Sequence, residues 1–92
     1  MTLTIQIGNS DDKLTQARWA EFVRRVDSVV QAVAVVHFSG SSAGWKPWQN
    51  HCWVCVVGGP VDAAMLRHEV IARRREFGQE SVAWTEGGDE FV

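Results

Sequence analysis

The stretch from Phe38 to Val57 constrains the fold of this chain more than any other. It passes from the small, flexible residues Ser39-Gly40-Ser41-Ser42-Ala43-Gly44, through Trp45-Lys46-Pro47-Trp48-Gln49-Asn50, into the apolar run His51-Cys52-Trp53-Val54-Cys55-Val56-Val57. Three of the five tryptophans, one of the two prolines and both cysteines fall here. Large rings in a Gly/Ser-rich loop are costly unless they face a partner, and loops held by a rigid scaffold are where binding chemistry concentrates. The stretch predicts a small-ligand pocket built by this loop, with the rest of the chain as its frame.

The frame follows from hydrophobic periodicity. Leu3, Ile5 and Ile7 alternate with Thr2, Thr4 and Gln6, the signature of a half-buried strand. Gly8-Asn9-Ser10-Asp11-Asp12 turns the chain, with Asn9 or Ser10 available as a helix cap and aspartates suited to its positive end. Trp19, Phe22, Val23, Val26, Val29 and Val30 recur at helical spacing, predicting a helix from Asp11 to Asp27. Val29–Phe38 is dense in valine and reads as a second strand, His51–Val57 as a third. Gly58-Gly59-Pro60 breaks the third strand, and Asp62 is positioned to cap a second helix over Ala63–Phe77. That helix puts Ala63, Leu66, Val70 and Phe77 on one face, and Gly78 ends it. Ser81–Glu86 is a fourth strand with Val82 and Trp84 on one face, and Phe91-Val92 can add a short pairing. The order strand, helix, strand, strand, helix, strand is the ferredoxin-like βαββαβ plan, a single α+β domain over all 92 residues with both helices on one face of an antiparallel sheet.

Charge and length narrow the function classes. A formal charge of −2 builds no general field for phosphate polymers. No apolar run approaches the roughly 18–20 residues of a membrane span, and Met1–Ile7 lacks the basic start and apolar core of a signal peptide. The expected setting is the cytoplasm, where Cys52 and Cys55 stay reduced. Arg67, Arg73, Arg74 and Arg75 cluster in the second helix, while Glu86, Asp89 and Glu90 make the C-terminal end acidic. Such a cluster either solvates a helix face or receives one small anion.

Two helices on one face leave the other to be accounted for. On the third strand Cys52, Val54 and Val56 point one way and His51, Trp53, Cys55 and Val57 the other; on the second, Val33, Val35 and His37 oppose Ala34, Val36 and Phe38. Either open face keeps several valines, a patch that a lone small monomer seldom leaves in water. Homo-oligomerisation through the sheet is the economical solution. A nucleic-acid platform with bases stacked on strand aromatics, Trp53 among them, is its rival, opposed by the lack of basic residues on these strands.

Several constellations bear on chemistry. Cys52-Trp53-Val54-Cys55 has C-x-x-C spacing, but residues three apart on a strand face opposite ways and cannot share a metal. No helix follows to activate a redox pair, so the cysteines read as small core hydrophobes. His37, His51 and His68 lie on different elements, and no nucleophile, base and orienting group fall at a readable spacing. The residues therefore nominate no catalytic group, metal or cofactor. Arg73 falls within the Leu66, Val70, Phe77 stripe, where it either snorkels and pairs with Glu69 or reaches into a pocket. Arg67 and Arg74, seven apart, can clamp a phosphate or stack on a purine. Trp45 and Trp48 flank Lys46-Pro47 and either stack on a base or plug the end of the core. Asn50, where loop meets strand, either reads a base or ribose edge or fixes the turn.

Four segments resemble a known family. Ile7-Gly8-Asn9-Ser10-Asp11-Asp12-Lys13-Leu14-Thr15-Gln16, Val36-His37-Phe38-Ser39, Pro47-Trp48-Gln49-Asn50-His51-Cys52-Trp53 and Gln79-Glu80-Ser81-Val82-Ala83-Trp84 look like the corresponding segments of the first family of phage Thoeris anti-defence proteins. The resemblance implies a non-catalytic sponge that sequesters the cyclic ADP-ribose isomers made by bacterial TIR-domain defence enzymes; some similar proteins also hold cyclic oligonucleotides. It further implies dimers or larger homo-oligomers with ligand bound between subunits, and a site drawing on Asn50, its aromatic neighbours and a second-helix arginine, best Arg67. Residue chemistry and resemblance together nominate Phe38, Trp45, Trp48, Asn50, Arg67 and Arg73 as ligand-binding residues. The alternative expectation is an interaction module that takes single-stranded nucleic acid or a protein through the sheet face.

Overall fold

A computed structural model describes residues 1–9, 12–43 and 49–92. Six elements follow in the order β1 (Thr2–Gly8), α1 (Gln16–Val33), β2 (Val35–Ser41), β3 (Asn50–Val56), α2 (Pro60–Glu76) and β4 (Ala83–Gly87). The strands form one sheet in the order β2-β3-β1-β4, every neighbouring pair antiparallel. This is the ferredoxin-like α+β fold that the strand–helix order predicts.

Alternation along β1 and β3 decides what the helices cover. Leu3, Ile5, Ile7, Trp53 and Cys55 are buried, and against them pack Trp19, Phe22, Val26 and Val30 of α1 with Ala63, Leu66 and Val70 of α2. The rings of Phe22 and Phe77 stack at 4.9 Å between centroids, and Trp19 meets Phe22 edge-on. Trp53 is wholly enclosed, so it belongs to the core and not to the open face, which corrects the platform role assigned to it above. Its indole Nε1 donates to Asp27 Oδ1 at 2.9 Å, which satisfies the one polar atom the ring carries inside.

The helix boundaries differ from those predicted. Thr15, and not Asn9, caps α1: its hydroxyl accepts from the Arg18 amide at 3.2 Å. Ser10 and Asp11, the other expected cap and the expected first residue, lie outside the described residues. The helix runs through Val33, because Val30 continues the Trp19, Phe22, Val26 stripe into the core and packing outweighs the strand preference of clustered valines. β2 therefore begins only at Val35. Helix α2 starts earlier than expected, with Pro60 in its first turn after Gly59; Asp62 lies in that turn instead of capping it. Its far end matches expectation. Gly78, at φ +66°, allows the Gly78 and Gln79 amides to donate back to the Arg75 and Arg74 carbonyls, a Schellman closure.

Ion pairs run across the helix layer as an alternating ladder. Arg18 pairs with Glu21, Glu21 with Arg25, Arg25 with Glu76, Glu76 with Arg73 and Arg73 with Glu69. Each exposed pair alone contributes little, but the Arg25–Glu76 link at 3.1 Å ties α1 to α2 beside the Phe22–Phe77 stack.

Trp53→Phe leaves the Asp27 carboxylate without its indole donor and opens a cavity in the centre of the core. The variant is expected to lose about 2–4 kcal/mol of unfolding free energy. A shift of the urea midpoint at unchanged slope measures it.

Candidate functional site

The uncovered face of the sheet is built from Thr2, Thr4 and Gln6 of β1, Val35, Phe38 and Gly40 of β2, Cys52, Val54 and Val56 of β3, and Ala83 and Thr85 of β4. None of these strand positions carries a charge. An irregularity in the β2–β3 register between Val36 and Phe38 puts Val35, opposite Val56, and Phe38, opposite Val54, on this one face. Simple alternation predicts them on opposite faces; a bulge is the physical reason it fails. Both side chains are exposed, Val35 at 66% and Phe38 at 61%.

At the loop end of this face lies a pocket of about 340 Å³, lined by Gln6, Phe38, Gly40, Ser41, Ser42, Ala43, Asn50 and Cys52. Two glycines let side chains of the pocket lie close to the sheet. A Cβ on Gly40 would come within 3.0 Å of the Phe38 ring, and one on Gly8 within 3.0 Å of Asn50 Oδ1. The Phe38 ring and the Asn50 amide each therefore lie over bare backbone. Asn50 is fixed through its main chain: its amide donates to Ser42 Oγ at 3.1 Å, and its carbonyl accepts from the Ser42 amide at 2.9 Å. Its side-chain amide makes no hydrogen bond among the described residues, so its donors and acceptor remain available.

Behind the pocket, three carboxamides lock the first loop to the second. Asn9, 3% exposed, donates from Nδ2 to the Leu14 carbonyl and to Gln49 Oε1, and accepts from the Leu14 amide at 2.9 Å. Gln16 and Gln49 exchange hydrogen bonds at 2.7 and 3.1 Å. These residues belong to two of the segments that carry the family resemblance. Nothing in local periodicity marks the bonds to Gln49, because the residues they join are 33 or 40 positions apart in the chain.

The nominated residues divide. Phe38 and Asn50 come together in the sheet-face pocket. Trp45 and Trp48 lie outside the described residues. Arg67 is on the other layer, in a separate cleft with Arg74, Ser81 and Trp84. Arg73 takes the pairing option, 3.4 Å from Glu69 and 3.5 Å from Glu76. Arg74 donates to the carbonyls of Gln79 and Glu80, which braces the end of α2. Sequence reasoning missed Gln6, whose alternation with Leu3, Ile5 and Ile7 marks only an outward strand position.

His51 sits on the helix-side face with its ring 4.6 Å from that of Trp53 and its Nδ1 2.8 Å from Ser41 Oγ. Burial pushes its imidazole below the ordinary 6.5, and the nearby Asp27 carboxylate pulls part of the way back. The two cysteines face opposite sides of β3 as the strand geometry requires, and burial raises both thiols. A scan against protein-family models and a search of curated proteins found no match to this chain.

With its folded-state pKa depressed, His51 binds its proton more readily in the unfolded chain. Its stabilising contribution is complete above about pH 6.5 and declines as pH falls through that value toward the lower folded pKa. Thermal denaturation from about pH 7.5 to 5 is expected to show this acid limb, and His51→Gln to flatten it.

Proposed function

We propose that this protein captures a cyclic ADP-ribose-type signalling nucleotide and holds it without degrading it. Phage-encoded, it would work in the cytoplasm of a host whose immune signalling makes such molecules. The reading rests on the family resemblance and on one observation: an exposed aromatic ring and an uncommitted carboxamide share a pocket under the Gly/Ser-rich loop. Phe38 offers a stacking surface, while Asn50 and Gln6 offer paired donors and acceptors for a base or ribose edge. A sponge needs affinity and retention, and a rigid cyclic guest loses little internal freedom on binding.

A second copy of the chain completes the site in this reading. The face around Val35, Phe38, Val54 and Val56 carries no charge at its strand positions, with the Asp89 carboxylate bonded to Thr2 at one end. Among the described residues it therefore offers apolar contact to another such face and no cation to a nucleic-acid backbone. A copy seated there would roof the pocket and desolvate the bound nucleotide. Val54→Asp places a charge at the centre of this face; light scattering is expected to show a fall in mass to that of a smaller assembly, with the secondary structure retained.

The function is tested by incubating excess protein with cyclic ADP-ribose isomers, removing it, and analysing the solution before and after heat release. The expected result is depletion of the nucleotide, followed by its recovery intact. Hydrolysed product would identify an enzyme, and no depletion would defeat the reading. Phe38→Ala and Asn50→Ala are each expected to weaken capture about tenfold or more, from a lost stacking surface and a lost pair of hydrogen bonds.

A further inference from the structure

The cleft between α2 and β4 has a composition that the fold alone does not require. It encloses about 230 Å³ between Arg67, Val70, Ile71 and Arg74 on the helix and Ser81, Val82 and Trp84 on the segment entering the sheet. Val70 and Val82 contribute an apolar floor. Trp84 stands at one wall, its ring oriented by a hydrogen bond from Nε1 to Glu86 Oε1 at 3.0 Å.

Hydrogen-bond commitment singles out one cation at the cleft. Arg73 and Arg74 are engaged, the first with two carboxylates and the second with two carbonyls. Arg67 is exposed and makes no ion pair or hydrogen bond among the described residues, and neither does the Ser81 hydroxyl. The Glu80 carboxylate, which also borders the cleft, is drawn toward Lys13 at 3.4 Å. The Glu86 carboxylate is held by the Trp84 indole, so two carboxylates balance the two guanidiniums in formal charge. Arg67 is the cation at the mouth whose donors stay uncommitted among the described residues.

We infer that this cleft is a second ligand site, for a small planar aromatic molecule that carries one anionic group. The ring lies against the Trp84 indole and the valine floor, and the anion meets Arg67 with Ser81 as a second donor. The volume is below the roughly 300–1,000 Å³ typical of drug-sized ligand pockets, so the cleft takes one ring system and its anion, and a sugar that links the two lies at its mouth. A nucleoside monophosphate and an aromatic carboxylate both carry this chemistry. The site lies on the opposite layer from Phe38 and Asn50 and is complete within one chain, so it stands apart from the sheet-face reading.

Isothermal titration of the whole protein with adenosine 5′-monophosphate, benzoate, adenosine and inorganic phosphate separates the possibilities. Saturable binding of adenosine 5′-monophosphate alone identifies a phosphate-bearing guest, and saturable binding of benzoate identifies an aromatic carboxylate. Either supports the site when adenosine and inorganic phosphate bind at least about tenfold more weakly, the loss expected when one charge-assisted contact is removed. Arg67→Ala, a surface change, is expected to weaken the bound probe about tenfold or more, and Ser81→Ala to weaken it less. Trp84→Leu should lower affinity while Trp84→Phe retains most of it. Binding is expected to persist in Phe38→Ala, so failure of capture at the sheet face leaves this measurement standing. Binding by none of the four probes, equal binding of inorganic phosphate, or full affinity in Arg67→Ala overturns the site.

Discussion

Two helices cover one face of a four-stranded sheet, and the rest of the molecule depends on how completely that face is filled. Trp53 occupies its centre on β3, with Leu3, Ile5 and Ile7 of the neighbouring β1 beside it and Phe22 and Val26 in the opposing layer. A ring of that size can be buried only if its N–H is met, and Asp27 on α1 supplies the acceptor at 2.9 Å. The same contact ties α1 to β3 at the centre of the core. With the large apolar groups committed to this side, the opposite face keeps threonines, valines and one phenylalanine, and no charge at its strand positions.

The element order was legible because each segment keeps one period long enough to identify it. Leu3, Ile5 and Ile7 alternate, and Ala63, Leu66, Val70 and Phe77 recur at helical spacing. The errors fall where two signals compete. Between Val26 and Val36 the residues favour strands, yet Val30 lies on the helical stripe begun by Trp19, and the core it completes decides the matter. At His37 the alternation is broken by a bulge, an insertion that a period-2 reading cannot anticipate. Asn9, Gln16 and Gln49 form a network whose members are distant in sequence, so only the folded chain reveals it.

The candidate site was half legible for a related reason. Asn50 and Phe38 flank the loop in sequence, so a hairpin closing that loop must bring them near each other. Arg73 is placed by its position on the Leu66, Val70, Phe77 stripe and Arg67 by its seven-residue separation from Arg74, and helical spacing reports direction about one axis but not which neighbours lie there. For Arg73 the neighbours are Glu69 and Glu76, and the guanidinium goes into the ladder joining the helices. For Arg67 they are Ser81 and Trp84, which no local pattern connects to α2.

These placements separate two kinds of polar group. Asn9, Gln16, Gln49, Arg74 and Asp27 have their hydrogen bonds made, and they hold loops and helix ends in position. Asn50, Arg67 and Ser81 have side-chain capacity left over among the described residues, and each borders a cavity. A group that is already satisfied gains little from a ligand, because binding would exchange one good hydrogen bond for another. An unsatisfied group beside an aromatic surface has no such exchange to make. The difference in hydrogen-bond commitment, and not the residue types alone, therefore distinguishes the scaffold of this protein from the surfaces through which it can act.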